Sequence, residues 1–177
     1  MTTATPALLE MLVAALDMEQ KGRAFYDEAA AGCTSKLGKE IFLHLAADEV
    51  VHLERLKRIF ASLKEREAWT EDWATLTTSH EDFSEFYHTL LKKHEKDVTP
   101  ASSELNALTV GIDLERKTAA YYEEHLVHAK DEKVRTFLKR MIAEERGHLA
   151  ALSDLKLYLT DPEEWSFEME HRDPDDE

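Results

Sequence analysis

Glycine, proline and cysteine are scarce in this sequence of 177 residues, which has five glycines, four prolines and one cysteine. So little Gly and Pro, beside abundant Ala, Leu, Glu and Lys, favours a helical chain over one rich in turns and strands. The single cysteine, Cys33, cannot form a disulfide within the chain or build a Cys-ligated zinc or iron–sulfur site. The composition therefore predicts an all-α protein without a disulfide framework.

Positive charge and long apolar runs are lacking as well. The 37 acidic residues outnumber the 22 basic residues, and the formal net charge is −15. Binding to a phosphate backbone depends on Lys and Arg, so nucleic acid is not an expected partner. No segment approaches the roughly 18 apolar residues of a membrane-spanning helix, and no basic segment precedes an apolar run at the N-terminus. We therefore expect a soluble, cytoplasmic protein with no membrane partner.

An internal repeat is the strongest positive signal in the chain. A glutamate is followed 30 residues later by the motif Glu-x-x-His, and the whole pattern recurs 96 positions further on without a gap. The residues concerned are Glu19, Glu49 and His52 in the first copy and Glu115, Glu145 and His148 in the second. A duplicated helical hairpin of this kind supplies four carboxylates and two imidazoles. That is the ligand set of a di-iron or di-manganese site in a four-helix bundle.

The Glu-x-x-His motif alone has little weight, because it occurs four times in the chain. The pairs Glu85/His88 and Glu168/His171 have no repeated counterparts, and we interpret them as coincidental surface pairs. Helix phase supports the repeated set, since each candidate falls where the inward apolar stripe would otherwise place a Leu. Two divalent cations would balance four carboxylates that otherwise repel each other. Oxygen-rich ligation with one imidazole per metal suits Fe or Mn better than a structural zinc.

The chain organisation indicates an all-α four-helix bundle made of two repeated helical hairpins. The predicted helices run over about 6–31, 36–67, 100–128 and 131–160, with Thr5 and Thr99 as caps of the first and third. Residues 68–99 form a long crossover with a short helix over about 80–96, which lets the third helix start at the opposite end of the bundle. We predict one bundle domain over 1–162 and an acidic C-terminal tail over 163–177, from which Trp165 and Phe167 could pack on the bundle.

Residues beside the six candidates also repeat. Asp48 and Glu144 each precede a candidate ligand, and either could accept the free N–H of the opposite repeat's histidine. Tyr26 and Tyr122 lie two helical turns beyond the first glutamate of their repeats, so their hydroxyls could hydrogen-bond a ligand carboxylate and assist proton delivery. Ordinary core packing with a polar tip is the alternative for both tyrosines.

Small side chains stand one helical turn beyond the first glutamate of each repeat, as Gly22 and Thr118. They either leave room for an exogenous ligand or allow two helices to approach closely. The sequence is compatible with both interpretations.

The repeat, the ligand pattern and the placement of the tyrosines resemble the ferritin-like superfamily, and specifically the di-iron domain of rubrerythrins. The resemblance covers about residues 8–60 and 104–157. It implies two Fe ions, with Mn as the alternative, held by the six repeated residues. It also implies an enzyme that reacts with peroxide or O₂ in the response to oxidative stress.

Two departures from rubrerythrins limit what the resemblance implies. Rubrerythrins typically carry a rubredoxin domain with four cysteines, whereas this sequence has one, so electrons would come from an external donor. Rubrerythrins also have a further glutamate one turn after the ligand of the third helix, where this chain has Thr118. The redox-linked exchange of ligands that this glutamate takes part in is therefore not implied here.

Three functions remain open from the sequence. A rubrerythrin-like di-iron oxidoreductase, re-reduced by an external donor, is favoured. A ferroxidase or iron-handling protein, which releases or stores Fe(III), is the alternative. A non-enzymatic, metal-stabilised helical binding module is the third. A monomer and a homodimer are both compatible with the sequence.

Overall fold

The computed structural model describes residues 4–78, 83–94 and 101–171, apart from the side chains at positions 83–85, 88, 92, 94 and 169–171. These residues form α-helices and one short 3-10 helix at Asp72–Thr75, and the described part contains no strand. The helices are α1 (Pro6–Gly32), α2 (Lys36–Arg66), α3 (Phe83–His94), α4 (Ser102–His128), α5 (Glu132–Thr160) and α6 (Pro162–His171). The all-α, ferritin-like prediction is confirmed.

Two helical hairpins make the bundle. Helix α1 packs along α2, α4 packs along α5, and α1 also packs against α4. Helices α1 and α2 begin where the sequence predicts, and a side chain caps each of them. The Thr5 side chain accepts a hydrogen bond from the Leu8 N–H at 3.2 Å, and the Ser35 side chain accepts one from the Gly38 N–H at 3.0 Å. Such a cap contributes about 1 kcal/mol. The short turns 33–35 and 129–131 then fix the phase of each hairpin.

The apolar core lies in two layers, one on each side of a buried polar cluster. Fully buried residues of the first layer are Tyr26, Phe42, Leu45, Leu108 and Leu152. Those of the second layer are Leu12, Leu56, Phe137, Leu138 and Met141. Burying each such side chain contributes about 1.5–3 kcal/mol. Because the layers bracket the same level on all four long helices, they hold the polar cluster in place.

The crossover between α2 and α4 covers one side of the bundle. Trp69 and Trp73 are buried, and their rings stand edge-on to the Phe137 ring with centroids 5.8 and 5.1 Å apart. Helix α3 packs against α2 and α5. The crossover was predicted to contain a short helix, and it does; residues 80–82 and 95–96 of the predicted range lie outside the described residues.

Helix α4 begins later than the sequence predicts. Its first helical residue is Ser102, behind an extended Ala101 that offers no side-chain cap. The buried Glu104 of the first turn accepts a hydrogen bond from Ser35 Oγ, which ties the start of α4 to the start of α2. The predicted cap, Thr99, lies outside the described residues.

The acidic tail contains a helix, α6, that the sequence did not predict. Asp161 ends α5, and its side chain accepts from the Glu164 N–H at 3.1 Å while Pro162 takes the first helical position. One Asp-Pro pair therefore ends one helix and begins the next. Trp165 packs edge-on against Tyr158 with ring centroids 5.0 Å apart. Within the described residues, no helix has the apolar length needed to cross a bilayer.

Candidate metal centre

All six repeated candidates lie together between the two apolar layers. Each of the six residues is at most 3% exposed. Helix α1 contributes Glu19, α2 contributes Glu49 and His52, α4 contributes Glu115, and α5 contributes Glu145 and His148. The inward projection follows from helical spacing, because ligand and apolar positions three or four apart share one face.

The donor atoms form two overlapping groups. One group consists of Glu49, Glu115, Glu145 and His148, and the other of Glu19, Glu49 and His52. Within each group the donor atoms all lie within 4.8 Å of one another. Glu49 belongs to both groups, as a carboxylate placed between two metal ions would.

Both histidines turn Nδ1 towards the carboxylates. His52 Nδ1 lies 3.3 Å from Glu19 Oε2 and 3.1 Å from Glu145 Oε1. His148 Nδ1 lies 3.7 Å from Glu115 Oε2 and 3.7 Å from Glu145 Oε2. Each imidazole therefore presents one nitrogen to the cluster and keeps the other for an outer partner.

The outer partners are acids of the opposite repeat, as the sequence indicated. His52 Nε2 lies 3.0 Å from Glu144 Oε2, and His148 Nε2 lies 3.3 Å from Asp48 Oδ2. A carboxylate in this place holds the proton on Nε2 and leaves Nδ1 as the donor towards a metal ion. The contact thus selects both the tautomer and the ring orientation.

The two tyrosines also reach across the repeat. The Tyr26 hydroxyl donates to Glu115 Oε1, and the Tyr122 hydroxyl donates to Glu19 Oε1. Side chains on a helix lean towards its N-terminus, so a tyrosine two turns beyond the ligand level points back to it and meets the facing helix. Burial and the nearby carboxylates raise the pKa of both tyrosines well above the usual 10, so each stays protonated.

Arg55 is a functional neighbour that the sequence analysis missed. It is fully buried, and its guanidinium donates to the Glu144 carboxylate through Nη1 and Nη2. The guanidinium also donates to the Leu76 carbonyl, through Nε at 3.1 Å and Nη2 at 2.7 Å. A sequence signal existed: Arg55 follows His52 by three residues on one helix face, where the second repeat has Ala151.

Glu144 is held as a fixed negative charge by this arrangement. Burial alone would raise its pKa, but hydrogen bonds from His52 and Arg55 lower the pKa to about 2. The Arg140 side chain adds a contact from its Nε to Glu144 Oε1 at 3.1 Å. The carboxylate is therefore ionised throughout the neutral range.

Part of the cluster, including Glu115 and His52, holds protons when no metal is bound. Burial and the charge of Glu145 raise the pKa of Glu115 to about 8. Burial would lower the pKa of His52, but the carboxylates of Glu145 and Glu19 raise it well above 6.5. A set of buried carboxylates keeps protons in this way because it cannot carry its full negative charge unbalanced.

A small cavity of about 180 Å³ reaches the cluster from between α1 and α4. Gly22 and Thr118 line it, together with Glu49 and Glu115. A Cβ atom added at Gly22 would lie 3.0 Å from Glu49 Oε1 and 3.3 Å from Glu49 Cδ. Both interpretations of the small residues therefore hold: Gly22 makes room for a carboxylate, and the cavity remains beside it.

The family comparison agrees with this geometry. A family model described as Rubrerythrin matches residues 10–156, a span that includes all six clustered residues and the crossover. The chain belongs to the rubrerythrin family. Comparison with curated proteins and with solved structures gives no significant match.

The residues present fit the metal pair expected of a rubrerythrin-family domain. Both carboxylate oxygens of Glu145, and Oε2 of Glu49, are buried and accept no hydrogen bond from the described residues. An unpaired buried carboxylate costs several kcal/mol, and metal ligation removes that cost. The fold and the buried cluster thus fit a di-iron protein. The unrepeated pairs Glu85/His88 and Glu168/His171 include side chains outside the described residues.

Proposed function

We propose that the protein is a di-iron oxidoreductase of the rubrerythrin type, which reacts with peroxide or O₂ and is re-reduced by an external donor. The observation that carries the proposal is the buried cluster of two donor groups that share Glu49 and border one small cavity. An iron pair held there would supply two electrons to the oxidant. The metal-ligand roles proposed for the cluster are those of Glu19, Glu49, His52, Glu115, Glu145 and His148.

The remaining residues of the site orient the six candidate ligands, exclude water from them and hold protons beside them. The apolar layers exclude water from both sides of the cluster, which strengthens the charge interactions inside. Tyr26 holds a proton on its hydroxyl beside Glu115, and Glu115 lines the cavity. We propose that Tyr26, and Tyr122 beside Glu19, deliver protons to a reactant in this way.

Metal analysis combined with turnover tests the proposal. Fe, Mn and Zn are quantified per chain after native purification and after Fe(II) reconstitution, and the reconstituted protein is cycled with peroxide or O₂ and a chemical reductant. We expect two metal ions per chain, retained over many turnovers. A single tetrahedral zinc, or persistent absence of metal, would contradict the proposal.

The formal charge of −15 favours a second candidate, a ferroxidase or iron-handling protein, because an acidic surface concentrates cations. The same experiment separates the two functions. Fe(III) that leaves the cluster after oxidation supports iron handling, whereas retained iron with turnover supports the oxidoreductase. Metal that binds but never changes oxidation state with either oxidant would indicate a metal-stabilised binding module.

A further inference from the structure

The cavity between α1 and α4 is built from matched positions of the two repeats. Its walls pair Met18 with Leu114, Lys21 with Lys117, and Gly22 with Thr118, each pair 96 positions apart. Its inner end is formed by Glu49 and Glu115. At about 180 Å³ it has room for several molecules of water size, each about 30 Å³. The exposed residues at its outer rim are the two lysines.

The rim is basic although the chain is strongly acidic. Apart from the candidate ligands Glu49 and Glu115, the charged residues that line the cavity are Lys21 and Lys117, whereas the chain as a whole carries −15. Lys21 pairs with Asp17 at 2.6 Å, and Asp113 pairs with Arg116 at 2.9 Å. Arg23 pairs with Asp27 at 3.7 Å. Lys117 takes part in no ion pair within the described residues, so its charge at the rim is not offset.

Metal loading makes these lysines the dominant charges of the cavity. Four ligand carboxylates and two divalent ions cancel, so the net sign of the potential inside is then set by the rim. A cleft lined by one sign of charge raises the local concentration and the association rate of the opposite sign by about 10- to 10³-fold. The repeated lysines therefore act on whatever small molecule approaches the cluster.

We propose that Lys21 and Lys117 favour the binding of small anionic ligands at the metal pair through this cavity. The ligands that fit are anions of a few atoms with an oxygen or nitrogen donor, such as superoxide and azide. The inference rests on the proposed function, in which iron is a retained cofactor.

A metal-independent experiment measures the sign of the potential in the cavity. Thr118→Cys is introduced with Cys33→Ser, and the new thiol is alkylated in the metal-free protein by iodoacetate, an anion, and by iodoacetamide, its neutral counterpart of similar size. The ratio of the two rates reports the local potential. Met18→Cys, in the same cavity wall, is the second site should Thr118→Cys disturb the fold.

The lysines are then removed in matched pairs. Lys21→Gln/Lys117→Gln should lower the iodoacetate-to-iodoacetamide ratio by about 3- to 10-fold. The control pair Lys57→Gln/Lys139→Gln makes the same change in net charge at exposed positions of α2 and α5 that do not line the cavity. It should change the ratio by less than about twofold, since screening confines exposed charges to about 10 Å. Lys21→Arg/Lys117→Arg should keep the original ratio.

A second arm uses the iron-loaded protein and azide as the anionic probe, with binding followed by the optical spectrum of the diferric form. The azide association rate should fall by about 3- to 10-fold in Lys21→Gln/Lys117→Gln. The same rate should be unchanged in the control variant Lys57→Gln/Lys139→Gln. Equal effects of the two pairs, or thiols in the cavity that neither reagent reaches, would overturn the inference. If iron does not bind, the proposed function fails, while the alkylation ratio still decides the role of the lysines.

Discussion

The two repeats supply the same donors but hold their histidines differently. His148 contacts Asp48 of the first repeat, and His52 contacts Glu144 of the second. Glu144 also contacts two arginines, Arg55 and Arg140. The residue types of the inner face thus match between the two repeats, whereas those of the outer face do not.

The difference shows that a duplicated set of donor residues need not have two equivalent surroundings. Arg55 connects the Glu144 carboxylate to the Leu76 carbonyl, so the crossover is anchored to one half of the cluster only. Ala151, the matching residue of the second repeat, cannot make such a contact. The surroundings of His52 therefore include a buried guanidinium at a position where the second repeat has an alanine.

The largest expected effect comes from Arg55→Ala, which makes the first repeat match Ala151 of the second. Removing one partner of a buried charge pair typically costs about 3–5 kcal/mol, so the free energy of unfolding should fall by about that amount. Denaturant unfolding measures it. Arg58→Ala is the control, because Arg58 lies one turn further along the same helix and makes an exposed contact with Glu54. It should lower the free energy of unfolding by less than about 1 kcal/mol. Similar costs for the two variants would show that the buried contact does not stabilise the fold.

The next effect is a pH dependence of opposite sign in the metal-free and metal-loaded forms. The folded pKa of Glu115 is about 8 against 4.5 unperturbed, so the folded metal-free protein binds the extra proton between these values and loses stability as pH rises. The raised pKa of His52 acts in the same direction above pH 6.5. The lowered pKa of Glu144 matters only below pH 4.5. From pH 8 to pH 5 the metal-free protein should gain about 3 kcal/mol.

Metal binding needs deprotonated ligands, so the loaded form should lose stability over the same pH range. Thermal melts of both forms at several pH values check the two signs. Glu115→Gln should flatten the trend of the metal-free protein, and Glu124→Gln, an exposed change on the same helix, should not. Parallel trends in the two forms would contradict the prediction.

The sequence predicted the features that both repeats share and missed those that occur in one repeat or in the tail. Helix phase and the 96-residue repeat were enough to bring Glu19, Glu49 and their counterparts to one level, because periodicity and capping are local properties. The contact of Arg55 with Glu144 joins residues 89 positions apart and depends on the exact rotation of α2 against α5. Helix α6 was missed because Asp161-Pro162 ends one helix and starts another with the same chemistry.

The tyrosine contacts test the symmetry of the inner face. Tyr26→Phe and Tyr122→Phe each remove a hydrogen bond to a buried carboxylate, and each should lower the unfolding free energy of the metal-free protein by about 2 kcal/mol. Tyr121→Phe is the control, because its hydroxyl donates to the neutral Met11 carbonyl, a bond that contributes about 1 kcal/mol. Denaturant unfolding of the three variants measures the costs. A difference of more than about 1 kcal/mol between Tyr26→Phe and Tyr122→Phe would mean that the inner face is asymmetric as well.

Gly22, where the second repeat has Thr118, is the position at which we expect the smallest effect on stability together with a clear effect on metal affinity. Gly22→Ala gains about 1 kcal/mol of helix propensity, but its Cβ would lie 3.0 Å from Glu49 Oε1, so the carboxylate must shift by a few tenths of an ångström. The two terms oppose each other, and the unfolding free energy of the metal-free protein should change by less than about 1 kcal/mol. Metal affinity should fall by about tenfold, because Glu49 belongs to both donor groups.

Gly147→Ala is the matched control: an added Cβ meets nothing within 4 Å, so this variant should gain the helix propensity and keep the metal affinity. Titration with Mn(II) or Fe(II) beside denaturant unfolding measures both quantities. Equal metal affinities of the two alanine variants would show that Glu49 tolerates the shift and that Gly22 is not needed to seat the carboxylate.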